Sequence, residues 1–136
     1  MSWLLWSLLA LAFWGVWGAV AKVALEGLDW PQVLLFGSVV SLVLAIAIGL
    51  VTRPELAVPT DRLVPVFAAA ALGTFGTIAL YVALRSGGPA SVVIPFTAAY
   101  PVVTALLSIA VLREQPEPAK LAAAGLFIIA TILVSR

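Results

Sequence analysis

Residues 32 to 51, QVLLFGSVVSLVLAIAIGLV, run for twenty positions without a charge. A helix crossing the hydrocarbon core of a bilayer needs roughly 20 predominantly apolar residues, so this stretch alone is long enough to span. Four comparable runs flank it, at residues 3 to 21, 63 to 84, 90 to 112 and 119 to 134. Five spans use about 100 residues, which leaves only short connections and no room for a soluble domain. Of the 136 residues 64% are hydrophobic and 10% charged, against about 45–50% and about 25% in soluble domains. The sequence therefore predicts an all-α polytopic membrane protein with five transmembrane helices in one membrane domain over residues 1 to 136.

Composition also excludes several chemistries. The chain has no His and no Cys, so zinc or haem sites built on those ligands, thiol catalysis, a Ser-His-Asp triad and disulfides are out of reach. No nucleophile and base pair up, so an enzyme is the class least expected, with no metal and no cofactor. Seven Lys and Arg against six Asp and Glu form no basic patch, and nucleic acid is not an expected partner. The first run has no Lys or Arg ahead of it and reads as a retained helix, not a signal peptide.

The few charges punctuate the runs. Lys22, Arg53, Arg85, Arg113 and Arg136 each fall at or just past the end of one, where a cation complements the helix dipole and reaches the headgroups. Starts carry N-terminal signals: Ser2, Asp29 with Pro31, Thr60-Asp61, Ser91 or the Gly87-Gly88-Pro89 turn, and Glu117-Pro118. Five spans place the termini on opposite sides. One side holds Arg53, Arg62, Arg113 and Lys120, four cations, and the other holds Lys22, Arg85 and Arg136, three. So small a bias fits either a slight N-inside preference or insertion in both orientations with head-to-tail pairing.

Small residues recur every four positions at Gly37, Ser41, Ala45 and Gly49, and again at Ala69, Gly73 and Thr77. Ala119 and Ala123 give the last helix a similar stripe. Such stripes let helix backbones approach where no hydrophobic effect drives association.

Polar side chains inside the spans are few. Ser7, Trp14, Gly18 and Lys22 share a face of the first helix with Trp17 at its flank, and Thr74, Thr77, Tyr81 and Arg85 form a stripe on the third. The fourth presents Thr97, Pro101, Thr104 and Ser108, with Tyr100 one step round. Converging stripes would enclose a cavity for a small, partly apolar solute. The alternative is that each hydroxyl bonds its own helix carbonyl while the aromatics face lipid. Lys22 has two readings of its own: snorkelling or pairing with Glu26, and a substrate or coupling role. With Arg85, Glu26 and Asp29 it would form one charged mouth. Pro95 and Pro101 remove backbone donors inside the fourth run, whose freed carbonyls Thr97 and Thr104 lie near. Either a fixed kink or a moving element results. Trp3, Trp6 and Trp30 suit an interfacial belt, whereas Trp14 and Trp17 are too central for one.

In their order, Trp14-Gly15 followed by Lys22, Tyr81-Val82-Ala83-Leu84 before a tight turn and Pro89-Ala90-Ser91 opening the fourth helix resemble the EamA repeat of the drug/metabolite transporter superfamily. Pro101, Arg113-Glu114 and Gly125 continue the resemblance, which covers almost the entire chain. Members of that family resemble two five-helix units fused in inverted orientation, and this sequence holds one. The resemblance implies a transporter of small metabolites, amino-acid-like or otherwise amphipathic, whose path is lined by the first, third and fourth helices. It also implies a second unit: an antiparallel copy forming a ten-helix homodimer, or a sister half-transporter. The residues expected to bind solute are Trp14, Trp17, Gly18, Lys22, Thr77, Tyr81, Thr97, Tyr100, Pro101 and Thr104. The implied location is the cytoplasmic (inner) membrane of a prokaryote, with the lipid bilayer itself as a partner. Small multidrug resistance proteins also pair antiparallel but use an embedded Glu, and no span here holds an acidic residue. The alternative function is a non-transporting subunit that scaffolds a partner membrane protein.

Overall fold

The computed structural model describes residues 3 to 113, Gln115 and residues 117 to 134. The helix start at Ser2, the cation at Arg136 and Glu114 of the Arg113-Glu114 pair lie outside the described residues. The described chain is all helix and turn: α1 Trp3–Gly27, α2 Trp30–Thr52, α3 Thr60–Arg85, α4 Ala90–Thr97, α5 Tyr100–Leu112 and α6 Pro118–Val134.

Local sequence accounts for most of these boundaries. At the start of α2 the Asp29 N–H donates to the Gln32 side chain at 2.9 Å, while Pro31 occupies a position where no helical donor is needed. That helix ends on Arg53, left-handed at φ 46°, whose N–H reaches the Gly49 carbonyl at 2.8 Å, and Pro54 prevents continuation. Arg113 closes α5 in the same way, at φ 56°. Gly87, at φ 97°, makes the turn after α3 that a side chain would oppose.

Two boundaries depart from the sequence reading. The first helix does not stop at residue 21 but runs to Gly27, so Lys22 is an interior residue of α1. Nothing in Val23-Ala24-Leu25-Glu26 breaks a helix, and the glycine after them does. The run from 90 to 112 is interrupted at Ala98-Ala99. Pro101 carries no N–H for the Thr97 carbonyl and its ring crowds that carbonyl, so α4 ends where the proline's i−4 partner lies.

Four stretches are long and apolar enough to cross a membrane: Leu4–Gly27, Trp30–Thr52, Thr60–Arg85 and Ala90–Val111, the last containing the α4/α5 break. The fifth apolar helix, α6, has 17 residues, or about 26 Å, the lower edge of a spanning length.

The chain divides into two compact units, Met1–Ser86 and Gly87–Arg136. In the first, α1 packs on α2 and α3, and α2 on α3; in the second, α6 packs on α4 and α5. Most apolar side chains point outward. Phe13, Leu42, Val51, Leu72 and Phe75 are all exposed, an apolar surface that only a bilayer can solvate. The protein is integral to the membrane, in contact with lipid.

The small-residue stripes are not where these helices meet. A methyl group added at Gly37, Gly49, Gly73 or Gly125 would touch nothing within 4 Å. The tight contact lies instead on Gly18, Ala21 and Leu25 of α1, buried at intervals of three and four, against Tyr81 and Leu84 of α3. Gly18 and Ala21 are small enough to bring that face of α1 close to α3.

Candidate functional site

The α1–α3 face collects the polar and aromatic groups of the first unit. Trp17 and Tyr81 place their ring centroids 6.2 Å apart at an interplanar angle of 34°, within the range of favourable aromatic pairs. Tyr81 is only 5% exposed, whereas Trp17 keeps 40% of its surface free. One side of the tryptophan is thus packed on the tyrosine and the rest stays available.

Just over one turn along α1, the Lys22 Nζ donates to the Leu84 carbonyl at 3.0 Å. Leu84 is the penultimate residue of α3, and the last four carbonyls of a helix have no donor within it. An ammonium at that point satisfies an orphan acceptor and the negative end of the helix dipole together. The bond exists because α1 continues as helix beyond Lys22. It also displaces the expected pairing with Glu26: among the described residues no ion pair joins these two, and Glu26 is exposed. At the same end Arg85 Nη2 meets Asp29 Oδ1 at 3.4 Å, joining the end of α3 to the start of α2. The pair is exposed and is worth little by itself. Lys22, Glu26, Asp29 and Arg85 do form one charged end of the unit.

The hydroxyl stripes mostly take the alternative reading. Thr74 and Thr77 donate to the Ala70 and Gly73 carbonyls of their own helix, at 2.9 and 3.0 Å. Thr97 donates to Val93 at 2.9 Å and Ile94 at 3.0 Å, and Thr104 to Tyr100 at 3.3 Å. None of these bonds reaches the carbonyls of Ser91 and Thr97, which Pro95 and Pro101 leave without their helical donors. A hydroxyl one turn ahead of a helical carbonyl finds it without moving a helix, so the local bond wins. The bond spends the hydroxyl hydrogen, and both lone pairs of the oxygen still accept.

Of the ten expected site residues, the structure brings Trp17, Gly18, Lys22 and Tyr81 together on the α1–α3 face. Thr77 lies one turn before Tyr81 on α3 and is half-buried. Trp14 stands on the Gly18 face but is 61% exposed, one turn away from the packed region. Thr97, Tyr100, Pro101 and Thr104 belong to the second unit, clustered about the α4/α5 break, with Tyr100 exposed. Beside that break, Pro95, Ala98, Phe127, Ala130 and Thr131 line an open apolar groove of about 250 Å³. Thr131 is buried and donates to the Phe127 carbonyl at 2.8 Å. Sequence reading missed Leu84, whose role lies in its carbonyl, and missed Thr131, though a hydroxyl inside the last apolar run was visible. Among the described residues no group of three or more acidic side chains is placed to hold a metal ion.

Residues 1–136 match the EamA-like transporter family, and the chain belongs to it. The match covers the whole chain, and the family is of transporter type, not enzymatic. No curated protein and no solved structure gives a match.

Proposed function

We propose that this member of the EamA-like transporter family is a half-size carrier of small metabolites, working by alternating access as a pair of oppositely inserted copies. The observation that carries the reading is the Trp17–Tyr81 pair beside Lys22, in a chain that matches a transporter family along its length. Aromatic faces and an ammonium suit an amphipathic solute, amino-acid-like in size and polarity. Trp14, Gly18 and Thr77 extend that wall, and Thr97, Tyr100, Pro101 and Thr104 of the second unit are the remaining solute-binding residues. The α4/α5 break is the element that moves.

The near balance of four cations against three supports insertion in both orientations, which gives an inverted pair without a second gene product. A carrier of this kind belongs in the cytoplasmic membrane of a prokaryote. Flux of radiolabelled amino acids through proteoliposomes holding only the purified protein tests the function. Saturable uptake above protein-free vesicles supports a carrier. No flux of any solute, together with a stable complex with another membrane protein, means a scaffolding subunit instead.

A further inference from the structure

Burial along α1 and α3 is lopsided. Gly18, Ala21 and Leu25 of α1 and Tyr81 and Leu84 of α3 are buried, all in the C-terminal halves of the two helices. In the N-terminal halves, residues 11 to 16 of α1 and 64 to 76 of α3 are exposed throughout. The two helices are therefore closed on each other at one end. That end also carries two polar contacts between helices, Lys22 to the Leu84 carbonyl and Arg85 to Asp29.

We propose that this end is a gate and Lys22 its latch: the ammonium holds α1 against the end of α3, and its release opens a way past Ala21 to the buried Tyr81 ring and the Trp17 face packed on it. The inference rests on the carrier reading. A lysine bound to a terminal carbonyl suits the task because the bond can break without stranding either partner. Lys22 is half-buried and only one of its three donors is used on Leu84, so it reaches water with little movement. The Leu84 carbonyl, having no helical donor, takes a water in exchange. Beyond Lys22 the parting side chains are Ala21, Leu25 and Leu84, all apolar, while Tyr81 keeps its pairing with Trp17. The aromatic pair lies about a turn deeper, so an open latch presents Lys22 and Trp17 to the same solute.

The chain has no cysteine, so one thiol at Ala21→Cys reports the gate directly. In lipid nanodiscs, where both faces meet the solvent, the rate of reaction with a charged maleimide is compared in three backgrounds. Gln115→Cys, at an exposed position between α5 and α6, is the reference. With Lys22 in place the thiol should react slowly. Lys22→Met should raise the rate about tenfold or more, the factor that loss of a charge-assisted hydrogen bond corresponds to. Lys22→Arg, which can still donate, should restore slow reaction, a rescue that simple loss of packing does not give. Equal rates in the Lys22 and Lys22→Met proteins, or equal acceleration by Met and Arg, would overturn the latch. Should Lys22→Met not yield monodisperse protein, Lys22→Gln, whose shorter side chain carries no charge, is expected to speed the reaction several-fold, and no change refutes the latch. Wild-type flux is scored separately: flux with unchanged labelling sinks the gate alone, and changed labelling without flux sinks the carrier.

Discussion

Replacing Leu84 by alanine measures what holds α1 and α3 together. Leu84 is 0% exposed, and Leu→Ala at such sites in soluble proteins costs about 2.7–5.0 kcal/mol. In a bilayer part of that cost disappears, because the separated helix shows the side chain to lipid as apolar as itself. The transfer part is roughly 0.8 kcal/mol for each of the three carbons removed, or about 2.4 kcal/mol. What remains is the cavity and its lost dispersion contacts, so Leu84→Ala should cost about 0.5–2.5 kcal/mol. Leu72, on the same helix and 71% exposed, gives the control, and Leu72→Ala should stay within about 0.5 kcal/mol. Reversible unfolding in mixed micelles, followed by circular dichroism, reads both. Equal costs at the two positions would refute the packed α1–α3 face. A loss of about 4 kcal/mol or more at Leu84 would refute the premise that lipid cancels the transfer part.

Other expectations follow from the same contacts. Tyr81→Phe keeps the ring against Trp17 and should leave folded yield unchanged while altering the Michaelis constant for transport; unchanged kinetics would remove the hydroxyl from the path. Pro101→Ala restores a donor for the Thr97 carbonyl and should join α4 and α5 into one helix, slowing hydrogen exchange at residues 98 to 100 and lowering flux. Faster exchange there would show that the proline is not what breaks the helix. Arg85→Gln removes an exposed ion pair and should change stability by no more than about 1 kcal/mol, a loss that high salt reproduces in the parent protein.

Much of the architecture is legible in the sequence because bilayer thickness fixes span length, and Asp29-Trp30-Pro31, the Gly87-Gly88-Pro89 turn and Glu117-Pro118 each mark a helix start by local chemistry. The end of α1 is not legible in the same way. Lys22 looks like a terminus because a cation in hydrocarbon needs an outlet, and its outlet is a carbonyl 62 residues further along. A side chain's distant backbone partner leaves no trace in local pattern. Pro101 marks the break in the fourth run from its lost donor alone, but the bonds of Thr97 and Thr104 are set by local geometry that competes with any solute. The α2 stripe of Gly37, Ser41, Ala45 and Gly49 has the spacing of a packing face, yet the packed face of α1 is found only by seeing which small residues oppose Tyr81.

Whether two oppositely inserted copies make one carrier is tested most directly by thiol topology in intact membranes. Ser86→Cys and, separately, Gln115→Cys lie at opposite ends of the fourth run, and each is probed with a membrane-impermeant maleimide before and after the membrane is opened. Insertion in both orientations predicts that about half of each thiol is protected until opening. One site fully accessible and the other fully protected would mean a single orientation, and would contradict the antiparallel homodimer.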